Sequence, residues 1–107
     1  MEWKLHLNFV EVVPLAELPP GTGSVFTVSE KSVAVFNVGG KICAMDDTCP
    51  HAGASLGMGR LEGNIVTCLK HRMKFDVTNG CFAGTPDAAV ESYPAKVVDG
   101  TIMVACS

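Results

Sequence analysis

Two short motifs place the tightest limit on how this chain can fold: Cys49-Pro50-His51 and Cys68-Leu69-Lys70-His71. Cys49 and His51 lie two positions apart, Cys68 and His71 three, and sixteen residues separate the two pairs. A fold that uses them must bring two loops together around something that accepts both thiols and imidazoles. A structural zinc ion is the first candidate, but such sites typically pair like with like, as C-x2-4-C with H-x3-5-H. Here each half is mixed, and the Cys49–His51 spacing is tight for one tetrahedral ion. A binuclear centre removes the difficulty, with Cys49 and Cys68 on one metal and His51 and His71 on the other. In extended backbone, residues i and i+2 point to the same side, so Cys49 and His51 can face one centre together.

The remaining cysteines are consistent with ligation rather than a disulfide framework. Cys43, Cys49, Cys68, Cys81 and Cys106 are five, an odd number that cannot pair completely within one chain. The N-terminal run MEWKLHLNFVEVV is interrupted by Glu2, Lys4 and Glu11, so it reads neither as a secretory signal nor as a membrane span. The expectation is a cytoplasmic protein without a membrane partner, in a compartment where thiols stay reduced. A net charge of −3 argues against general nucleic-acid binding, which needs a basic field. Length, 107 residues, fits a single domain, and 48% hydrophobic against 18% charged residues marks it as globular.

Strand signals dominate. VFTV (25–28), VAVFNV (33–38) and KICAM (41–45) are β-branched or apolar runs, and Gly39-Gly40 joins the last two as a tight hairpin. NIVTC (64–68) follows Gly63, and AKVVDGTIMV (95–104) folds back at Asp99-Gly100. ELPPGTG (17–23) reads as loop, and no window sustains a 3.6-residue apolar period. The pattern predicts an all-β fold of antiparallel sheets, a sandwich or barrel. Both chain ends, 1–43 and 89–107, form its basal part. A loop-rich subdomain at about 44–88 is inserted between them and carries the unusual residues.

C-x-H…C-x2-H is the pattern of Rieske iron–sulfur proteins, and the resemblance extends past the four donors. CPHAGASL (49–56) is similar to the first Rieske cluster loop, and CLKHRMKFD (68–76) with TNG (78–80) to the second. GTPDAAVESYPAKVVDGTIMV (84–104) resembles the closing segment of Rieske ferredoxins, with Pro86 in the place of the loop that covers the cluster. The resemblance implies one [2Fe–2S] cluster, with Cys49 and Cys68 on the inner iron and His51 and His71 on the outer, solvent-facing iron. Four thiolates would leave the oxidised centre a dianion, whereas two thiolates and two neutral imidazoles leave it neutral and easier to reduce. Rieske potentials accordingly run from about −150 to +300 mV, against roughly −400 mV for all-cysteine plant-type centres.

Quinol-oxidising Rieske subunits carry an extra cysteine in each loop and hydroxyl donors to the cluster sulfur. Ala54 and Lys70 stand at the cysteine positions here, and Met73 and Phe75 at the hydroxyl positions. Fewer donors stabilise the reduced cluster less, which implies the low end of the range. The resemblance is thus to a soluble Rieske ferredoxin. Such a protein is a monomeric carrier, not itself an enzyme. It passes electrons from a flavoprotein reductase to a terminal oxygenase in aromatic or other hydrocarbon catabolism. Leu69 and Arg72 depart from the proline and glycine usual in the family. If position 72 needs positive φ, a non-glycine residue costs about 1–2 kcal/mol. A bulky residue there is shared with ferredoxins of di-iron aromatic monooxygenases. Two alternatives remain: the Rieske-like small subunit of an assimilatory nitrite reductase, whose members often lack the ligands, and a structural zinc domain.

Other residues receive plainer readings. Arg60, Lys70, Arg72 and Lys74 are half of the chain's eight Lys and Arg residues, forming either a positive collar for a redox partner or an ordinary solvated loop. Asp46 and Asp47 suit a turn or cap before the first loop. Cys43 reads as core, Cys81 and Cys106 as bystanders, His6 as a surface or strand residue, and Trp3 and Tyr93 as packing. Gly53, Gly57, Gly59 and Gly80 are expected to make tight loop turns that let backbone N–H groups approach the sulfides.

Overall fold

The computed structural model describes residues 9–28, 30–47, 55–68, 74–77, 81–82 and 92–105. Among them the chain forms β1 (Val10–Pro14), a 3-10 turn (Leu15–Glu17), β2 (Thr22–Val28), β3 (Lys31–Val38) and β4 (Lys41–Asp46). There follow β5 (Arg60–Glu62), β6 (Ile65–Thr67), β7 (Lys74–Asp76), β8 (Cys81–Phe82), β9 (Ser92–Tyr93), β10 (Ala95–Val98) and β11 (Thr101–Val104). Three antiparallel sheets result, in the orders β1-β11-β10, β2-β3-β4-β9 and β5-β6-β7-β8.

β3 explains the layering. Every residue from Val33 to Asn37 is buried, a continuous run rather than an alternation, as expected of a strand covered on both faces. Ala34 and Phe36 point with Cys43 and Met45 of β4 into one core, which also contains Leu56, Val66, Cys68, Phe75 and Val77. Val33 and Val35 point the other way with Ala44, joining Leu18, Val28, Ile102 and Val104. The central sheet is therefore packed against β5–β8 on one side and β1-β11-β10 on the other. Asn37 is the polar exception in the run, and both ends of its amide are used. Its Nδ2 donates to the Leu18 carbonyl at 2.8 Å, and its Oδ1 accepts from the Gly40 N–H at 2.8 Å.

The predicted hairpins are present. Gly39 and Gly40 turn at φ 60° and 104°, a left-handed pair that suits the twist of the flanking strands. Asp99 and Gly100 do the same between β10 and β11, at φ 51° and 78°. Two readings need correction. Thr22 and Gly23, predicted as loop, pair with Asn37 and Phe36 and extend β2. Glycine fits at 23 because the Phe36 ring occupies the space a Cβ would need. The segment predicted as loop-rich also contains a four-stranded sheet of its own, β5–β8. No helix among the described residues is long and apolar enough to cross a membrane.

Candidate metal centre

Cys68 follows directly on β6, and its side chain is fully buried, at 0% exposure. The strand explains the burial. Thr67 is half-exposed, so the alternation turns Val66 and Cys68 inward, where both join the core formed with Leu56, Met45 and Phe75. β6 leaves at Cys68 and β7 returns at Lys74, with Thr67 and Lys74 in register. The ladder therefore fixes the two chain positions that bracket His71 in sequence.

The first loop is fastened differently. The chain enters it at Asp47 and leaves at Ser55, and Asp47 binds the exit. Its carboxylate Oδ1 accepts from Ser55 Oγ at 2.8 Å and from the Gly57 N–H at 2.7 Å. Its backbone carbonyl accepts from the Leu56 N–H at 2.6 Å, and its own N–H donates to Ser32 at 3.1 Å. Asp47 is 7% exposed, and these hydrogen bonds satisfy a carboxylate that would be costly to bury alone. The segment 48–54, with Cys49 and His51, thus starts and ends at one clamp. The predicted capping role of Asp47 holds, with Ser55 and Gly57 as its partners at the loop's exit. The signal available was an acidic residue just before the loop and a hydroxyl just after it.

Gly57 and Gly59 join the two loop bases. A Cβ on Gly59 would collide with the Thr67 carbonyl and Val66, the two residues preceding Cys68. A Cβ on Gly57 would come within 2.5 Å of Val25 and 2.9 Å of the Ser24 carbonyl. The predicted turn is present, closed by the Gly59 N–H on the Leu56 carbonyl at 2.9 Å, and both glycines also allow close packing of the first loop's exit on β2 and on β6. Gly53 and Gly80 lie outside the described residues.

Of the four predicted ligands, Cys68 is positioned here, and Cys49, His51 and His71 lie outside the described residues. Among the described residues no three His, Cys, Asp or Glu side chains come together as a metal set. The donor chemistry at Cys68 suits a metal. A thiolate at Cys68 would need a compensating cation in this apolar core, and metal coordination would supply one. Burial pushes the thiol of Cys43, in the same core, above the ordinary range, with Lys41 opposing and Asp76 reinforcing. It remains a protonated core residue, as the sequence suggested. Phe75, which stands where quinol-oxidising Rieske subunits carry a hydroxyl donor, is a fully buried core residue in the middle of β7. Tyr93 packs against the second core, with Lys31 Nζ 5.7 Å from its ring centre. His6, Trp3 and Cys106 lie outside the described residues, and Cys81 pairs with Asp76 in the β7–β8 ladder.

Known proteins share both the sequence pattern and the fold. The Rieske [2Fe-2S] domain profile matches residues 8–94. The ferredoxin component of a naphthalene 1,2-dioxygenase system from Pseudomonas aeruginosa is 33% identical over 98 residues, 91% of this chain and 94% of that protein. The ferredoxin component of an alkene monooxygenase system from Xanthobacter autotrophicus is 30% identical over 99 residues, 92% of this chain and 81% of that protein. Among solved structures, a chain of the complex of reduced oxygenase and oxidised ferredoxin in carbazole 1,9a-dioxygenase superposes with a TM-score of 0.83. It is 30% identical, with 94% of each chain covered. The two cysteine–histidine motifs, the clamped loops and the all-antiparallel layers thus have one source: the chain belongs to the Rieske [2Fe-2S] domain family.

Proposed function

We propose that this chain is a Rieske-type ferredoxin carrying single electrons from a flavoprotein reductase to a terminal oxygenase. Cys49 and Cys68 hold one iron of a [2Fe–2S] cluster, and His51 and His71 hold the other. The observation that carries the reading is the joint fastening of the two loop bases, with Cys68 buried between them. The cluster, when bound, supplies a one-electron couple. The chain's own residues hold and shield it. Asp47 fixes both ends of the first loop, the β6–β7 ladder fixes the second, and Leu56, Val66 and Phe75 keep water from the cysteine side. In this role the chain does no substrate chemistry. Residues 44–88 act as the cluster-bearing part, supported by the position of the β5–β8 sheet between β4 and β9 in sequence. Relatives from dioxygenase and monooxygenase systems are similarly distant, 33% and 30% identical, so the reading extends to hydrocarbon oxygenases as a class.

A redox titration followed by visible absorption and electron paramagnetic resonance tests it. The expected result is a one-electron Rieske signal near the low end of the range, roughly −150 mV. His71→Ala should abolish that signal, and Cys43→Ala should keep it. Zinc in place of iron, with no redox signal, would remove the function and leave the fold. Co-purification with a large haem-containing subunit would favour the nitrite reductase alternative.

A further inference from the structure

The outer face of β5–β6–β7 is polarised by charge. Directly opposed residues of antiparallel strands share a face. Register therefore gives three rows: Arg60–Thr67–Lys74, Leu61–Val66–Phe75 and Glu62–Ile65–Asp76. The middle row points into the core, with Val66 and Phe75 at 0% exposure. The other two rows face outward. Their cations stand at the end of the sheet where β6 delivers Cys68 and β7 begins; their anions stand at the far end. Arg60 Nε lies 3.9 Å from Glu62 Oε2, with side chains 75% and 68% exposed, a contact too loose and too solvated to cancel the Arg60 charge. Lys70 and Arg72 fall in sequence between Cys68 and Lys74. All this occurs on a chain of net charge −3, so the cationic edge is a local feature that the overall charge opposes.

We propose that the Arg60–Thr67–Lys74 row is the electrostatic docking edge for the electron acceptor, a terminal oxygenase that presents carboxylates around its point of electron entry. The proposal rests on the electron-carrier reading above. Thr67 immediately precedes Cys68, and adjacent strands lie about 4.8 Å apart. Both cations therefore flank the strand that carries a proposed cluster ligand. Exposed charges in such a position act mainly on the rate and orientation of encounter, and salt weakens them.

The test measures local charge without needing the natural partner. The reduced protein is oxidised in stopped flow by ferricyanide, a trianion, and separately by tris(phenanthroline)cobalt(III), a trication, across ionic strength. In the first reaction one electron leaves the protein and reduces ferricyanide to ferrocyanide. If net charge governed, ferricyanide would react faster as salt rises. A cationic edge makes it react more slowly as salt rises, and reverses the trend for the trication. The Arg60→Gln/Lys74→Gln protein should flatten the ferricyanide slope. The Arg60→Glu/Lys74→Glu protein should reverse it and react about tenfold more slowly at low salt. Both should keep the cluster absorption spectrum. A ferricyanide rate that rises with salt in the unmodified protein overturns the proposal, as does a falling slope that survives charge reversal. Absence of any reducible centre, seen in the spectrum beforehand, would instead overturn the electron-carrier reading itself.

Discussion

Asp47 shows at the scale of one residue what the sequence could and could not reveal. Cysteine and histidine declare themselves by donor chemistry, so a candidate ligand set could be proposed from the two motifs. Asp47 was legible as a turn former, but its partners lie eight and ten positions away, too far for any local rule to link. Removing its carboxylate leaves a buried N–H and a hydroxyl without their acceptor, a loss of about 1–3 kcal/mol. Asp47→Ala should therefore melt several degrees lower and retain less iron per chain after reconstitution. Asp47→Asn keeps one acceptor oxygen and should recover part of both. An Asp47→Ala protein that melts and binds iron like the unmodified chain would show the clamp to be idle. Cys43 gives a pH prediction of definite sign. Its thiol is raised on folding, first by burial, so the folded state favours the protonated form. That contribution is complete below the ordinary thiol range and is lost as pH rises through the raised value. Cys43→Ala should thus show a shallower decline of melting temperature in mild alkali.

Elements differ in how much of themselves they write into local sequence. β2, β3, β4, β10 and β11 are long enough, or bounded by clear enough turns, for their patterns to be read. β8 and β9 have two residues each, and β5 and β7 three, too few for an alternation to register. They exist because a neighbour pairs with them: β9 meets β4 through Ala44 and Met45, far away in sequence. β1 is further disguised by a register shift between Glu11 and Val13. Glycines at the loop bases are legible as turn residues, but a sequence does not show which backbone will lie against them. Two substitutions separate the two uses of glycine. Gly39 turns at φ 60° into open space, so Gly39→Ala costs about 1–2 kcal/mol of backbone strain and leaves iron content unchanged. Gly59→Ala forces a methyl against the Thr67 carbonyl. Such overpacking costs about 1–3 kcal/mol and displaces the strand that leads to Cys68. Both variants should be destabilised, and only Gly59→Ala should lose iron. Equal iron in the two would mean that the packing of the first loop's exit on β6 does not govern the centre.

At the scale of the molecule, the central sheet separates two cores among the described residues, with β3 and β4 contributing side chains to both. One core, with Leu56, Val66, Cys68 and Phe75, lies on the side that carries the loops. The other, with Leu18, Val28, Ile102 and Val104, is closed by β1, β10 and β11. This division makes the effect of cluster loss directional. Metal binding and folding are coupled where the ligands lie, and the free energy of local opening varies across a structure according to what each part contacts. Stripping the iron should therefore weaken the β5–β8 sheet and the core beneath it, while the hairpin β10–β11 and its pairing with β1 keep most of their stability. Hydrogen exchange read by mass spectrometry on holo and iron-free protein measures this peptide by peptide. Peptides covering 60–67 and 74–77 should lose protection on iron removal by at least about tenfold in rate, equivalent to roughly 1.4 kcal/mol of local stability. Peptides covering 95–104 should change far less. A uniform loss across both sets would mean that β3 and β4 transmit the loss of the cluster through the whole fold. The two cores would then be a single cooperative unit, despite the sheet that separates them.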